Sequence, residues 1–335
     1  MNIPDDLHTA LNNQIANANT KQLLDAAQDI SLRYRQRDNN NKQDKHFIQN
    51  DIESLAYAVA RMPATYGAIY NALKYALEII ENQAIDIKSL TDIGAGTGAA
   101  TWAANELIDL DSITCVEYDA SMRNLGKALM SQTSEPLKNA KWENFNIANI
   151  INTPFIYQAD LIIASYVINE LDENLQLKIA EELWSATKKV LLFVETGTPN
   201  GYNLLNKIRT KLLSHNAHIL APCFHENICP VSKIESDWCH FTCRVQRSRL
   251  HKQAKGGELA YEDEKYSYLA LSKKNISHIN SINYGRILRH PQIGKGHVKL
   301  NLCTKDGLKQ ATYSKRNGDI YKSARKANCG DKINL

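Results

Sequence analysis

No stretch of this 335-residue chain is apolar for anything near the roughly 18 residues that a membrane-spanning helix needs, so a helical membrane protein is excluded and no membrane partner is expected. The opening Met1-Asn2-Ile3-Pro4-Asp5-Asp6 has neither the basic and apolar blocks of a secretion signal nor the Arg-rich, acid-poor character of a transit peptide. A cytoplasmic protein is the expectation. Only 15 Gly and 8 Pro rule out collagen-like and Pro/Gly-rich disordered chains, and the absence of internal repeats rules out a solenoid. Paired C-x2-C knuckles are missing although there are seven cysteines. Without a secretion signal those thiols are not expected to form disulfides, so burial or metal ligation must account for them.

What is present is unevenly placed. The net charge of +4 conceals 16 Lys/Arg against 26 Asp/Glu in residues 1–200, and 24 against 10 in residues 201–335. A basic C-terminal third is the electrostatic footprint of a surface that meets phosphate backbones. Six of the seven cysteines lie in that same third.

The pattern divides the chain into a helical N-terminal cap over residues 1–85, a cofactor-binding domain over 86–218 and a Cys-rich, basic, β-containing extension over 219–335. In the cap, Ile48, Ile52, Leu55, Ala56, Val59 and Ala60 return at helical spacing. Asn39-Asn40-Asn41 marks a loop, and a helix is expected to end or kink at Pro63, which lacks the required N–H. The middle region alternates strand-like and helix-like apolar blocks. Strands are expected at 89–93, 112–117, 140–145, 161–165 and 190–195, with helices at 99–107, 121–131 and 174–187. That order predicts an α/β fold, a doubly wound parallel sheet covered on both faces. Further strands are expected near residues 266–271 and 297–303.

The chemistry starts at the first strand end, Asp92-Ile93-Gly94-Ala95-Gly96-Thr97-Gly98. Glycines belong where a strand must bend sharply into a helix and let its backbone approach a ligand, because Cβ atoms would collide there. The spacing is GxGxG and not the GxGxxG of dinucleotide binders. The second strand ends at Cys115-Val116-Glu117-Tyr118-Asp119, placing Glu117 about 20 residues beyond the glycines, where an acid can accept from both ribose hydroxyls. The run into Asp119-Ala120-Ser121-Met122 resembles class I methyltransferases and favours S-adenosylmethionine over NAD. Asn146, after the third strand, is the expected adenine neighbour. Ser165, after the fourth, lies where the methionine moiety and the methyl acceptor meet. The Asn-Pro-Pro-Tyr or Asp-Pro-Pro-Tyr motif of amino-methylating enzymes is absent from 165–171, as is a cysteine suited to attack a pyrimidine. Binding of the cofactor is therefore better supported than methyl transfer, and no catalytic residue is assigned.

In the extension, Cys223, Cys229 and Cys239 are spaced Cys-x5-Cys-x9-Cys, and a fourth thiolate could come from Cys303. Four thiolates suit zinc or an iron–sulfur cluster alike, and the spacing does not choose between them. Cys243 and Cys329 are left over, the latter in a polar tail. Arg244, Arg247, Arg249, His251, Lys252 and Lys255 form one basic stretch, and Lys315, Arg316, Lys322, Arg325 and Lys326 another. Both read as phosphate contacts, with Tyr313 and Tyr321 as candidates for stacking on bases.

With these residues in hand, the chain closely resembles the bacterial and mitochondrial methyltransferase-like family of small-ribosomal-subunit assembly factors. The likeness is carried by residues 61–66, 92–98, 166–171, 195–199, 221–230, 237–241, 247–248 and 261–268. The resemblance implies a Rossmann-like class I methyltransferase sheet, a 4Fe-4S cluster held by Cys223, Cys229, Cys239 and Cys303, and attachment to the small ribosomal subunit and its rRNA. The reading it supports is an S-adenosylmethionine-binding assembly factor, a methyltransferase on rRNA. Two alternatives stay open: a non-catalytic ribosome-binding factor with a vestigial methyltransferase fold, and a zinc-containing NAD oxidoreductase.

Overall fold

The computed structural model describes residues 1–37, 48–81, 83, 85–276 and 283–335. Its helices are α1 (Asp5–Ala16), α2 (Thr20–Arg37), α3 (Asp51–Ile80), α4 (Ala99–Leu107), α5 (Ala120–Met130), α6 (Glu173–Ala186), α7 (Pro199–Leu213), α8 (Arg249–Ala254) and α9 (Asp319–Lys326). The strands are β1 (Ser89–Ile93), β2 (Ser112–Val116), β3 (Lys141–Glu143), β4 (Ala159–Ser165), β5 (Thr187–Thr196), β6 (His218–Ala221), β7 (Phe241–Gln246), β8 (Tyr261–Ser272), β9 (Tyr284–Ile287), β10 (Gln292–Gly294), β11 (His297–Thr304), β12 (Gly307–Ser314) and β13 (Lys332–Asn334). Contacts group them into two compact units. One is Met1–Asn71, Ile87–Lys188 and Cys243–Glu264; the other is Ala72–Asp86, Lys189–Thr242 and Lys265–Leu335. The polar run at residues 39–41 lies outside the described residues.

In the first unit β3, β2, β1 and β4 pair in that order, all parallel. Leu90, Ile93, Leu161, Ile162, Ile163 and Ala164 are buried on both sheet faces, which is why these strands read as continuous apolar runs and not as alternations. Helix α5 shows how the covering layer is specified. Asp119 caps it, accepting from Met122 N at 2.9 Å, and Met122, Leu125, Leu129 and Met130 return on the buried face at helical spacing. Gly126 leaves room for the Trp142 ring: a Cβ there would lie 2.1 Å from the ring. Gly126→Ala should therefore cost about 1–3 kcal/mol from overpacking, even though Ala is the better helix former. A thermal melt that is unchanged or raised would contradict this.

Pro63 does not end a helix; α3 runs through it. A helix-interior proline costs on the order of 3 kcal/mol. Against that cost, Val59, Met62, Ala64, Tyr66, Ala68 and Ile69 on the flanking turns are all buried, and large apolar side chains contribute about 1.5–3 kcal/mol each. Thr65 Oγ1 also donates to the carbonyls of Arg61 and Met62 at 3.2 and 3.0 Å, so this stretch of backbone is supported from its own side chain.

In the second unit β8 runs antiparallel to β5, from Val190↔Ser272 to Thr196↔Tyr266, and antiparallel to β6 with a bulge between Ile219 and Ala221. A separate antiparallel sheet orders β10-β11-β9-β13, with β12 on β11. Val298, Leu300 and Leu302 alternate inward on β11 and, with Ile287, Tyr321, Ala324 and Ile333, make a small core under α9. Cys303, next along β11, points to the opposite face of the pleat. The fold class is thus α/β, with a Rossmann-like parallel sheet of the methyltransferase type, a helical N-terminal region and a small antiparallel C-terminal sheet. Among the described residues no helix is long and apolar enough to cross a membrane.

Candidate functional site

In the first unit the glycine bend leaves β1 with Gly94, Gly96 and Gly98 at φ of +62°, +57° and +92°, a region that side chains with a Cβ rarely enter. Two of the three are also packed: a Cβ on Gly94 would meet Val167 at 2.6 Å, and one on Gly98 would meet Met130 at 2.4 Å. Gly96 differs, its nearest neighbour being Met122 Cε at 3.9 Å, so the bend has an open side there. Glu117 sits across from it. One carboxylate oxygen accepts from Gly96 N at 2.8 Å and the other from Asp119 N at 2.8 Å, which ties the acid after β2 to the middle of the turn. Burial raises the Glu117 carboxyl, and these two amide donors oppose that rise.

Asp92 is fully buried beneath the bend. Its Oδ2 accepts from Thr101 N at 3.1 Å and Thr101 Oγ1 at 2.8 Å, pinning the start of α4 to β1, while Oδ1 has no hydrogen-bond partner among the described residues. Burial pushes its carboxyl up to about 7 against those donors. Cys115 lies 3.2 Å from Thr101 Oγ1, and burial raises its thiol well above the ordinary value, so it is a core residue. Asn146 caps the short 3-10 turn Ile147–Ile151, accepting from Ala148 N at 3.0 Å. Ser165 ends β4, and the next residue, Tyr166, holds a left-handed φ of +57°. For a residue with a Cβ that conformation costs about 1–2 kcal/mol, and such strain concentrates at functional sites. Its hydroxyl reaches Glu264 at 3.5 Å, and Arg61 pairs with the same carboxylate at 3.2 Å. Sequence reasoning does not assign Arg61, Tyr166 and Glu264 to one place. Their only signal is that each falls within a family-like stretch.

The second unit contains all four candidate cysteines, Cys223, Cys229, Cys239 and Cys303. Cys223 follows β6. Cys229 begins a 3-10 turn and accepts from Tyr202 OH of α7 at 3.4 Å. Cys239 is held through its carbonyl by Ser267 Oγ of β8 at 2.8 Å, and Cys303 comes from β11. Cys223, Cys229 and Cys239 line one small cleft with Tyr202, Arg209 and Tyr268. Burial pushes the Cys223, Cys239 and Cys303 thiols up, and in each case neighbouring cysteine sulfurs add to the rise. His225 Nε2 stands 3.9 Å from Cys303 Sγ, and burial lowers its basicity. Among the described residues, however, no three His, Cys, Asp or Glu side chains close into a metal-holding group. The two spare cysteines are elsewhere. Cys243 belongs to the first unit and packs beside Gly67; Cys329 is buried, not part of a polar tail, and donates to Leu288 O at 3.3 Å.

The first basic stretch is largely neutralised. Arg244 makes a two-pronged pair with Asp263 at 2.7 Å, and Arg247 and Lys255 both reach Glu262 at 2.7 Å. Burial alone would raise the Glu262 carboxyl, but hydrogen bonds from His251, Lys255 and Arg247 hold it well below the usual range. The pairing across strands is invisible to a count of charges along the chain. Tyr321 is buried in the core beneath β11 and so is closed to base stacking. Lys315, Arg316, Lys322, Arg325 and Lys326 are exposed as expected.

Residues 51–334 match the family described as mitochondrial small ribosomal subunit Rsm22. The human ribosome assembly protein METTL17, mitochondrial, is 27% identical over 302 residues, covering 83% of this chain and 62% of that protein. The mitochondrial Rsm22-cox11 tandem protein 2 of Schizosaccharomyces pombe is 25% identical over 335 residues, covering 84% of this chain and 43% of that protein. The chain thus spans about half the length of the curated relatives it matches. Among solved structures, the magnesium protoporphyrin IX methyltransferase of Synechocystis with bound SAM aligns at a TM-score of 0.39 and 10% identity, covering 69% of this chain and 87% of that one. The family and both relatives are mitochondrial by description, which overturns the cytoplasmic location expected from the N-terminal sequence. With the match running through the glycine bend and through Cys223, Cys229, Cys239 and Cys303, this chain belongs to the Rsm22 family.

Proposed function

We propose that this protein acts in assembly of the small ribosomal subunit, contacts its rRNA, binds S-adenosylmethionine at the glycine bend and holds a 4Fe-4S centre on Cys223, Cys229, Cys239 and Cys303. The observation that carries the cofactor part is the Glu117 carboxylate bonded to Gly96 N beside the open side of the turn. An acid so placed can exchange those bonds for two ribose hydroxyls, while the backbone of the bend, free of a side chain at Gly96, lets the methionine end approach. Asp92 works from beneath by fixing the bend, and Asn146 and Ser165 flank the adenine and methionine ends.

The donor set suits a thiophilic centre by its chemistry: four cysteines lie in one unit, three of them buried. Such a centre would clamp the loops of the extension, because metal-binding free energy becomes folding free energy. The exposed cations of α9 and the turn before it supply sequence-independent affinity for RNA. Zinc is the second candidate for the centre. Iron, acid-labile sulfide and zinc contents of anaerobically isolated protein separate the two, since a cluster also gives broad visible absorbance.

A ribosome-binding factor that transfers no methyl group is the second functional reading, favoured by the lack of an amino-methylating motif or attacking cysteine after β4. Gly96→Arg tests the cofactor reading. At φ +57° the substitution strains the turn and fills its open side, so calorimetric affinity for S-adenosylmethionine should fall roughly a hundredfold, about 3 kcal/mol. Undiminished binding would refute the site. Incubation of the unaltered protein with labelled S-adenosylmethionine and immature small subunits then decides between the readings: label in the RNA supports the enzyme, and subunit binding without label the scaffold.

A further inference from the structure

Two arginines stand at the cysteine cluster without an ion pair to explain them. Arg209 on α7 is 6% exposed and Arg286 on β9 only 1%. Neither has a carboxylate within pairing distance among the described residues. Both are wired to the chain that carries the thiols. Arg209 Nη2 donates to the carbonyls of His225 and Asn227 at 3.2 and 2.6 Å, between Cys223 and Cys229. Arg286 Nε donates to Pro222 O at 2.9 Å and its Nη1 to Gly330 O at 2.8 Å, with the guanidinium 4.5 Å above the Phe224 ring. Each keeps one buried N–H group unpartnered, Arg209 Nε and Arg286 Nη2.

A buried guanidinium that only backbone carbonyls solvate is costly, and a guanidinium keeps its charge at any accessible pH. The remaining candidates for its counter-charge are the cysteines: Arg209 lines the same cleft as Cys223, Cys229 and Cys239, and Arg286 is bonded to the carbonyl of Pro222, the residue before Cys223. We propose that Arg209 and Arg286 are the built-in counter-charges of the four-thiolate centre, matching it to an occupant of charge 2+. The inference rests on the four-cysteine reading above and adds to it. Four thiolates around a dication leave two negative charges, and the two guanidiniums cancel them inside a region that excludes water. The unpartnered N–H groups supply donors to the ligating sulfurs, as outer-shell groups of metal sites do.

The test uses the full chain, stripped of metal and titrated anaerobically with cobalt(II), whose sulfur-to-metal absorption reports thiolate ligation. Arg286→Gln and Arg209→Gln remove the charge; Arg286→Lys and Arg209→Lys keep it. Each Gln variant should bind cobalt about tenfold or more weakly than the unaltered protein, while each Lys variant stays within about threefold. Circular dichroism of the metal-free proteins checks folding, and because the two arginines lie on different elements, either pair alone carries the comparison. Equal losses in the Gln and Lys variants would mean that the fork-shaped hydrogen bonds matter and not the charge, and would overturn the proposal; so would Gln variants that bind as well as the parent. No thiolate absorption in the unaltered protein would instead bring down the four-cysteine reading itself.

Discussion

Cys229→Ser is expected to empty the cysteine cluster of metal and to lower the melting temperature of the anaerobically isolated protein, whereas Cys329→Ser should do neither. Small structural zinc modules gain about 10–16 kcal/mol of apparent binding free energy, so losing one of four ligands forfeits about 3 kcal/mol or more, roughly a hundredfold in affinity. Cys229 also accepts from Tyr202 OH, which a serine oxygen can do as well, so the local hydrogen bond is not what the change removes. Cys329 is equally buried, but its thiol donates to Leu288 O, and a serine hydroxyl preserves that role at a cost of about 1 kcal/mol or less. The pair therefore compares two buried thiols, only one of which lines a cleft with other cysteines. Metal analysis and thermal melts of both variants provide the check. Equal metal content and equal melting points would contradict the ligand assignment.

The second large effect is one of pH. The Asp92 carboxyl is pushed up to about 7 by burial, from an ordinary value of 3.8. A carboxyl raised on folding favours the native state while it is protonated, so its contribution is complete below about pH 4 and is lost as pH climbs through about 7. The difference is on the order of 4 kcal/mol across that window. Asp92→Asn should flatten the slope. The amide oxygen still accepts from Thr101 N and Thr101 Oγ1, and no charge develops in the core. Denaturant midpoints at pH 5 and pH 8 should fall less in the variant than in the parent. Parallel slopes would show that Asp92 does not titrate in this range.

How much of this was readable beforehand follows from the range of each interaction. The expected helix at 99–107 coincides with α4, and the strand at 89–93 with β1, because both are fixed by local periodicity and by glycines whose bend needs positive φ. The strand expected at 140–145 shrinks to Lys141–Glu143. It is a sheet edge, with β2 on one side only, and the following Asn146 turns the chain by capping Ala148 N. Of the end or kink expected at Pro63, the end does not occur: the local penalty is real, but burial along α3 outweighs it. The basic stretch after Cys243 misleads because its partners, Glu262 and Asp263, come a strand later. The four thiols could be listed from the sequence, but not the arginines beside them. Arg209 and Arg286 are separated from the cysteines by up to tens of residues and look like any other surface cation until the burial is known.

The placement of β8 has a consequence for biosynthesis. β5 and β6 both hydrogen-bond to β8, which is completed only at Ser272. On a ribosome making this chain, β5 and β6 emerge with those backbone edges unpaired and stay so while some fifty further residues are added. An unpaired strand edge is a template for pairing with another polypeptide. Products truncated shortly before Tyr261 should accordingly aggregate, and a holdase chaperone meeting the nascent chain has its natural target there.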